Sequence, residues 1–334
     1  MKKLRVFQTV KSKRIVSGFS MKNLGTVLLL LFFLPYLFSF LFGNLQHADE
    51  DVRAQGTQKQ LKSGRMYVLN TTAMGKERIP LEIYVADKLS RTMDGDFEKE
   101  ALKAQAVLLR SGLLAGCEDG PPEKDISLED EAYGSGILTE KIMQAVVETS
   151  GVYLSYEGEA VESAYFAVSN GATRDGGALG ITDHPYLKRV FCDRDFLSPD
   201  YTKTVKYKEN EFDRIWGQCD KSQASEEEIL KNKEIQVSRE PYGVTLYLDS
   251  AGYVLYAQRD GAFISGEVLR DAYVLPSTSF HLEDSEGRIN FLVRGKGHGI
   301  GMSQFAANEM AKEGEGYPEI LNYFFQDVRI SKFE

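Results

Sequence analysis

Cysteine, histidine and tryptophan are scarce in this chain of 334 residues, which contains three, four and one of them respectively. The spacings of Cys117, Cys192 and Cys219 match no zinc motif, so we assign no metal and no cofactor. One disulfide with a free thiol and three buried thiols both remain open for these cysteines. The lone Trp216 lies in an insertion, where we expect it to pack internally.

Internal repeats and a regular alternation of strand and helix are also missing. The pattern mixes helices with antiparallel strands and has no βαβ rhythm, which predicts an α+β fold. We expect this fold to form one ectodomain that follows a single N-terminal transmembrane helix. Helices are predicted at Leu81–Thr92, Phe97–Leu114, Leu138–Thr149, Glu209–Gly217, Glu226–Lys231, Ser265–Asp271, Met302–Glu313 and Pro318–Phe325. Strands are predicted at Met66–Asn70, Val152–Tyr156, Val161–Val168, Glu234–Val237, Gly243–Leu248, Tyr253–Gln258, Phe280–Leu282 and Ile289–Val293.

Acidic residues are missing from the N-terminus. Residues 1–22 hold seven basic residues and no acidic one, namely Lys2, Lys3, Arg5, Lys11, Lys13, Arg14 and Lys22. The stretch from Leu24 to Gly43 is almost entirely apolar, and about 20 such residues span a bilayer as a helix. By the positive-inside rule, residues 1–22 form a cytoplasmic tail, residues 23–43 form the transmembrane helix, and the rest lies outside the cell membrane.

A cleaved signal peptide is the alternative for this N-terminal segment. Its apolar core would span roughly 7–15 residues and end at small residues. The core here is longer, and Asn44-Leu45-Gln46 is a poor cleavage site. The sequence therefore favours an uncleaved single-pass anchor, followed by a polar stalk over residues 44–64 and an extracytoplasmic domain over residues 65–334.

Basic residues are in deficit beyond the predicted span. Removing the seven basic residues of the tail from the total of 40 leaves 33 against 49 acidic residues, a net charge of −16. An ectodomain this acidic disfavours nucleic acid and anionic lipid surfaces as partners.

Two motifs far apart in the chain carry its chemical character. The first contains Ile79–Val85, Met93 and the string EALKAQAV at Glu100–Val107, and the second is GKGHGIGMSQ at Gly295–Gln304. Together they resemble the stage II sporulation protein D family of lytic transglycosylases, which cut peptidoglycan glycan strands. The resemblance implies a membrane-anchored protein of the cell surface, acting on the wall during sporulation with other wall hydrolases or sporulation membrane proteins.

The expected catalytic acid is replaced in this chain. In the family a glutamate directly precedes the methionine that matches Met93, and here Thr92 occupies that position, with Asp94 in place of the following proline. Such an acid protonates the glycosidic oxygen and then assists closure of a 1,6-anhydromuramic ring. A threonine hydroxyl cannot do this at neutral pH, and losing a positioned acid costs roughly 10²- to 10⁴-fold in rate. Asp94 is a possible substitute acid, as are Asp96 and Glu98, whereas Glu82 and Glu100 are expected to be structural.

The resemblance also implies a set of residues that line a glycan groove. They are Ser169, Asn170 and Thr173 from the segment AYFAVSNGAT, and His298, Ser303 and Gln304 from the Gly-rich motif. A tight strand-to-helix turn would need the glycines in any case. His184 and His281 are interpreted as a loop residue and a structural residue. The basic helix positions Lys99, Lys103 and Arg110 are interpreted as a solvated face.

Three functions from different classes remain open. The first is an active transglycosylase with a relocated acid. The second is a non-catalytic module that binds glycan strands or enhances an amidase. The third is a structural part of a membrane complex that keeps only the fold.

Overall fold

The computed structural model describes residues 56–333 except residues 63, 65, 73, 74, 116, 118–124, 130, 132 and 233. Thr57–Glu334 form one compact unit. No helix in this described part is long and apolar enough to cross a membrane. The predicted tail (1–22) and transmembrane helix (23–43) lie outside the described residues, as does most of the predicted stalk (44–64), so all three stay predictions.

Helices and antiparallel strands alternate irregularly, which confirms the predicted α+β class. The helices are residues 56–62 (α1), Leu81–Thr92 (α2), Lys99–Ala115 (α3), Glu140–Glu148 (α4), Glu209–Gln218 (α5), Glu226–Leu230 (α6), Gly266–Ala272 (α7), Gln304–Lys312 (α8) and Tyr317–Phe324 (α9). The strands are Tyr67–Thr72 (β1), Gly75–Pro80 (β2), Ile126–Glu129 (β3), Val152–Tyr156 (β4), Glu159–Ala160 (β5), Tyr165–Phe166 (β6), Thr202–Lys208 (β7), Gln236–Arg239 (β8), Thr245–Leu248 (β9), Val254–Arg259 (β10), Ala262–Ser265 (β11), Phe280–Ser285 (β12), Arg288–Arg294 (β13), Met302–Ser303 (β14) and Arg329–Lys332 (β15).

The strands form five small sheets within the described residues, with orders β2-β1-β3, β11-β10-β9-β8, β12-β13-β7, β14-β6 and β15-β4-β5. Most neighbours are antiparallel, but β1 pairs with β3 and β6 pairs with β14 in parallel. The predicted long strand Val161–Val168 is wrong, because Val168 makes only an isolated bridge to Lys296 and the strand itself is just Tyr165–Phe166. Its partner is Met302–Ser303, a pairing distant in sequence that a local pattern cannot reveal.

Helix α3 forms the centre of the helical part of the molecule. It packs against α2, α4, α8, α9 and β4, and residues on nearly all its sides are buried. Its Ala- and Leu-rich sequence combines high helix propensity with small side chains that allow close approach. The single apolar face expected from the sequence is therefore too narrow a description of this helix.

Arg110, expected on a solvated face of α3, is instead fully buried. Its guanidinium forms a two-point ion pair with Glu82 of α2, with an Nε–Oε1 distance of 3.1 Å and an Nη2–Oε2 distance of 2.5 Å. The same guanidinium donates to the Val152 carbonyl of β4 at 2.7 Å, and Glu82 also accepts from the Gly151 amide at 3.1 Å. The pair thus joins two helices and the start of a strand, while Lys103 lies in a separate ion pair with Glu148.

A second core lies between the four-stranded sheet, the sheet β12-β13-β7 and helix α5. It is rich in aromatic rings, with Phe212 stacked on Tyr273 at 5.3 Å between ring centroids. Trp216 is buried here, as predicted.

All three cysteines are free thiols, and Cys219 belongs to this core, so the open question of a disulfide is answered in favour of thiols.

Removing one partner of the Glu82–Arg110 pair should be strongly destabilising, because the other charge would remain buried without a counterion. We expect Arg110→Met alone to lower the free energy of unfolding by about 3–5 kcal/mol. The double variant Glu82→Leu/Arg110→Met should cost clearly less than the sum of the two single changes. Urea unfolding followed by circular dichroism measures all three variants, and strictly additive losses would contradict the coupling.

Candidate functional site

The two sequence motifs meet at a cleft of about 570 Å³. One wall is the end of α2 and the loop after it, and the opposite wall comes from the Gly-rich segment and the start of α8. The lining residues are Arg91, Thr92, Met93, Asp94, Phe97, Ala167, Val168, Ser198, Pro199, Asp200, Lys296, Gln304 and Phe305. The cleft thus combines apolar surface with two carboxylates and two basic side chains, a composition suited to a hydroxyl-rich ligand with apolar faces.

Thr92 ends helix α2 with its hydroxyl engaged by the protein. The hydroxyl donates to the Lys88 carbonyl oxygen at 2.8 Å, one helical turn back. Burial raises the pKa of the Tyr165 phenol, and an interaction with the Thr92 side chain opposes the rise. Tyr165 therefore lies near position 92, and the sequence alone did not single it out.

Gln304 connects the two walls of the cleft. Its side-chain amide donates to the Thr92 carbonyl oxygen at 2.8 Å and to the Gln105 side-chain oxygen at 3.3 Å. Gln105 is fully buried in α3, within the EALKAQAV string. This contact holds the end of α2 against the start of α8, so the spacing across the cleft is set by the side chains of both motifs.

Two carboxylates line the cleft near position 92. Asp94 is exposed, and its Oδ1 accepts from the Asp96 amide at 3.0 Å, which fixes the loop after α2. Asp200, which sequence reasoning missed, pairs with Lys296 at 2.8 Å. Of the substitute acids considered from the sequence, Asp94 is the one that lines the cleft. Glu100 makes structural contacts as expected, accepting from Lys103 and from the Tyr317 amide.

The Gly-rich segment has positive φ at all four of its glycines, Gly295, Gly297, Gly299 and Gly301. Gly301 shows why: its φ is 80°, and a Cβ there would collide with the carbonyl oxygen of Ala164. Because position 301 has no side chain, the backbone can approach Ala164 closely, and the Met302 amide donates to that same carbonyl at 3.0 Å. The glycines therefore hold the turn against β6, the structural role that the sequence also allowed.

His298 is held by backbone groups within this turn. Its Nδ1 accepts from the Ile300 amide at 3.1 Å, and its ring lies 5.7 Å from that of Phe166. Burial lowers the pKa of His298, and a hydrogen bond to the Tyr165 backbone carbonyl opposes that shift. A neutral ring with Nδ1 accepting leaves the other nitrogen to donate to Tyr165. These contacts assign His298 to the support of the turn, and its predicted role in ligand binding stays a prediction.

A buried carboxylate behind the cleft, Asp195, was not found from the sequence. It has no exposed surface and accepts from the Ser169 amide at 2.7 Å and from the Ser303 hydroxyl at 2.9 Å. Burial raises the pKa of Asp195, and hydrogen bonds from Ser169, Ser303 and the Ala306 amide moderate the rise. Each partner lies beside a residue that lines the cleft, so Asp195 fixes two of its walls from behind.

The remaining predicted glycan-binding residues lie around this buried centre. Ser169, Thr173 and Ser303 are fully buried. Thr173 donates to the Lys188 carbonyl and accepts from the Val190 amide, and Ser303 caps α8. Asn170 donates to the Ala251 carbonyl at 2.7 Å and to the Ser279 hydroxyl at 2.9 Å. The structure thus places Thr92, Asp94 and Gln304 in the cleft and the others in its supports, and direct sugar contact by those others stays a prediction.

Comparisons with known proteins find relatives of this chain. The model of the family described as "Stage II sporulation protein" matches residues 70–156, a range that includes α2 and α3. Stage II sporulation protein D from Bacillus amyloliquefaciens is 30% identical over 300 residues, covering 83% of this chain and 82% of that protein. The protein of the same name from Bacillus subtilis (strain 168) is 30% identical over 285 residues, covering 79% and 78%.

A more distant similarity extends to another named protein. The Amidase enhancer of Bacillus subtilis (strain 168) is 22% identical over 282 residues, covering 72% of this chain and 39% of that protein. The identity and coverage of the first two relatives show that this chain belongs to the stage II sporulation protein D family. The resemblance inferred from the two motifs is thereby confirmed.

Protonation of Asp195 should stabilise the fold. A carboxyl whose pKa is raised on folding contributes most below its unfolded pKa, about 3.9, and loses that contribution as the pH rises through its folded pKa. We therefore expect the stability of the wild type relative to Asp195→Asn to fall as the pH rises from about 4 toward neutrality. Urea unfolding at several pH values measures this difference.

The exposed Asp183 provides the control for this measurement. The same change to asparagine there removes one exposed carboxyl, and it shows how much of any stability change comes from the loss of a negative charge alone. A difference for Asp195→Asn that grows as the pH rises would contradict the raised pKa of Asp195.

Proposed function

We propose that this protein is a single-pass protein of the cell membrane that binds peptidoglycan glycan strands in the cleft and acts in cell-wall remodelling linked to sporulation. The names of its relatives support the sporulation context, and the name of the Amidase enhancer supports cooperation with a wall hydrolase. The apolar segment 23–43, with its basic flank, supports the anchor.

The observation that carries this proposal is the joining of both family motifs around one cleft. Gln304 of the second motif binds the backbone of Thr92 and the side chain of Gln105 in the first. The cleft presents the rings of Phe97 and Phe305 together with the charged groups of Asp94 and Lys296. Sugar rings have apolar faces and hydroxyl edges, so this mixture of surfaces suits a glycan strand.

Binding without cleavage is the function that position 92 favours. The Thr92 hydroxyl is not acidic enough to protonate a leaving group at neutral pH. Its hydrogen is donated to a carbonyl of its own helix. An amidase-enhancing scaffold is one form of such a non-catalytic role. It requires the cleft to hold glycan while a partner hydrolase acts on the wall.

Cleavage is the second candidate, and the position of Asp94 is the observation that favours it. Asp94 lies in the same cleft as Thr92, is exposed, and carries the type of group that a lytic transglycosylase needs. Its short side chain stands two residues from the position of the family's glutamate, so the substrate would need to bind in a shifted register.

A direct assay separates these two functions. The purified full chain in detergent is incubated with glycan strands stripped of peptides, beside Asp94→Asn and Asp200→Asn variants. We expect co-sedimentation with the strands and no 1,6-anhydromuramic ends by mass spectrometry. Anhydro products that disappear in Asp94→Asn would establish a relocated acid, and absence of co-sedimentation would refute glycan binding.

Introducing the missing acid should create or raise cleavage. In Thr92→Glu the new carboxyl would stand beside the Tyr165 phenol at the cleft wall, where a positioned acid is worth roughly 10²- to 10⁴-fold in rate. Thr92→Gln has the same size and shape without the acid and serves as the control. Equal product formation by the two variants, with both shown to be folded by circular dichroism, would refute the expectation.

A further inference from the structure

A second pocket, of about 430 Å³, lies beside the cleft and shares no lining residue with it. Its walls come from β8, the paired strands β12 and β13, and the loop that contains Asn170. The residues that line it include Gln236, Ser238, Ser279, His281 and Arg294. Most of these side chains are polar, which distinguishes this pocket from the hydrophobic cores on either side of it.

His281 is oriented in this pocket by a buried carboxylate. The side chain of Glu240 is only 6% exposed, whereas that of His281 is 47% exposed, and the Glu240 Oε1 to His281 Nδ1 distance is 3.0 Å. Burial would raise the pKa of Glu240, but hydrogen bonds from His281, Ser238 and the Leu282 amide hold it below its usual value. An ionised Glu240 can only accept, so Nδ1 must carry the hydrogen and Nε2 is the nitrogen directed away from it.

Rigid contacts fix the floor of the pocket. The Ser279 hydroxyl accepts from the Asn170 side chain at 2.9 Å and donates to the Gly252 carbonyl at 3.0 Å. Asn170 also donates to the Ala251 carbonyl. The floor is therefore formed in the folded protein and needs no rearrangement to receive a ligand.

The pocket and the cleft are built from the same two chain segments. Val168 and Lys296 form a backbone bridge and both line the cleft. Asn170, two residues after Val168, and Arg294, two residues before Lys296, line the second pocket. Two residues of fully extended chain span about 7 Å, so along each segment the backbone positions that line the two depressions lie at most about that far apart. A polymer bound in the cleft is long enough to reach the second pocket.

The chemistry of the pocket favours a carboxylate. Arg294 is exposed and offers a planar fork of donors that matches a carboxylate in two-point geometry. His281 and Gln236 add groups that suit amides and hydroxyls. Glycan strands carry a free lactyl carboxylate where the peptide has been removed, and carboxylates on the stem where the peptide is present.

We propose that the pocket between His281 and Arg294 is a second subsite that binds a carboxylate of the same wall polymer that occupies the cleft. This inference rests on the proposed glycan-binding function. It gives the protein a means to recognise peptidoglycan over glycans that carry no acid, and it extends the binding surface beyond the position of the missing catalytic glutamate.

The test compares three soluble ligands by calorimetry with the full chain in detergent. They are peptide-free glycan fragments, glycan fragments with peptide stems, and chitin oligosaccharides, which lack carboxylates. The variants are Arg294→Gln and His281→Gln, with Lys206→Gln as the control. Lys206 is an exposed residue of β7 that lines neither pocket, so its change to glutamine removes one positive charge elsewhere on the surface.

We expect Arg294→Gln to weaken binding of acidic fragments about tenfold, the effect of losing one hydrogen bond to a charged group. His281→Gln should weaken it less, Lys206→Gln should have little effect, and chitin binding should be equal in all variants. Loss confined to peptide-bearing fragments identifies the stem carboxylate. Loss confined to peptide-free fragments identifies the lactyl carboxylate, because a stem peptide converts that group into an amide, and loss with both means that the subsite accepts either carboxylate. Wild-type-like binding by both pocket variants overturns the subsite alone, whereas no glycan binding by the wild type overturns the proposed function with it.

Discussion

The carboxylate of Asp195 is the contact on which the geometry of the cleft depends. It has no exposed surface, and it accepts hydrogen bonds from the loop after β6 and from the start of α8. An unpaired buried carboxylate would be costly, so these segments cannot separate without leaving Asp195 unsatisfied. Val168 and Gln304, which line the cleft, lie next to the donors Ser169 and Ser303, so one buried side chain fixes both positions from behind.

The helical wall of the cleft is secured in a different way. The Glu82–Arg110 pair joins α2 to α3 and to the start of β4, and Gln304 ties the end of α2 to α8. This rigidity does not depend on the side chain of Thr92, because Gln304 binds its backbone carbonyl oxygen. A cleft with such supports suits the proposed binding function, because binding needs shape and hydrogen bonds whereas cleavage also needs a positioned proton donor.

Polar residues of the family-like segments divide between surface and support. Ser169, Thr173 and Ser303 face inward and satisfy buried groups, whereas Asp94, Asp200 and Lys296 meet the solvent in the cleft. The second pocket continues the same two segments past the cleft and adds His281 and Arg294. A long polymer is the ligand class that makes use of neighbouring depressions, since one chain can occupy both and gain from each contact.

The sequence by itself determined the α+β class, the family and the bounds of α2 to within a residue, because these follow from local periodicity, from Pro80 at the start of the helix and from two distinctive strings. It also located Thr92, Asp94 and Gln304, which the fold brings to one cleft. Only the tertiary structure decided that Arg110 is buried, that Asp195 anchors the cleft, that Tyr165 meets Thr92, and that β6 pairs with β14. Each of these depends on partners far apart in the chain, and burial and hydrogen bonding between distant segments leave no periodic signal in the sequence.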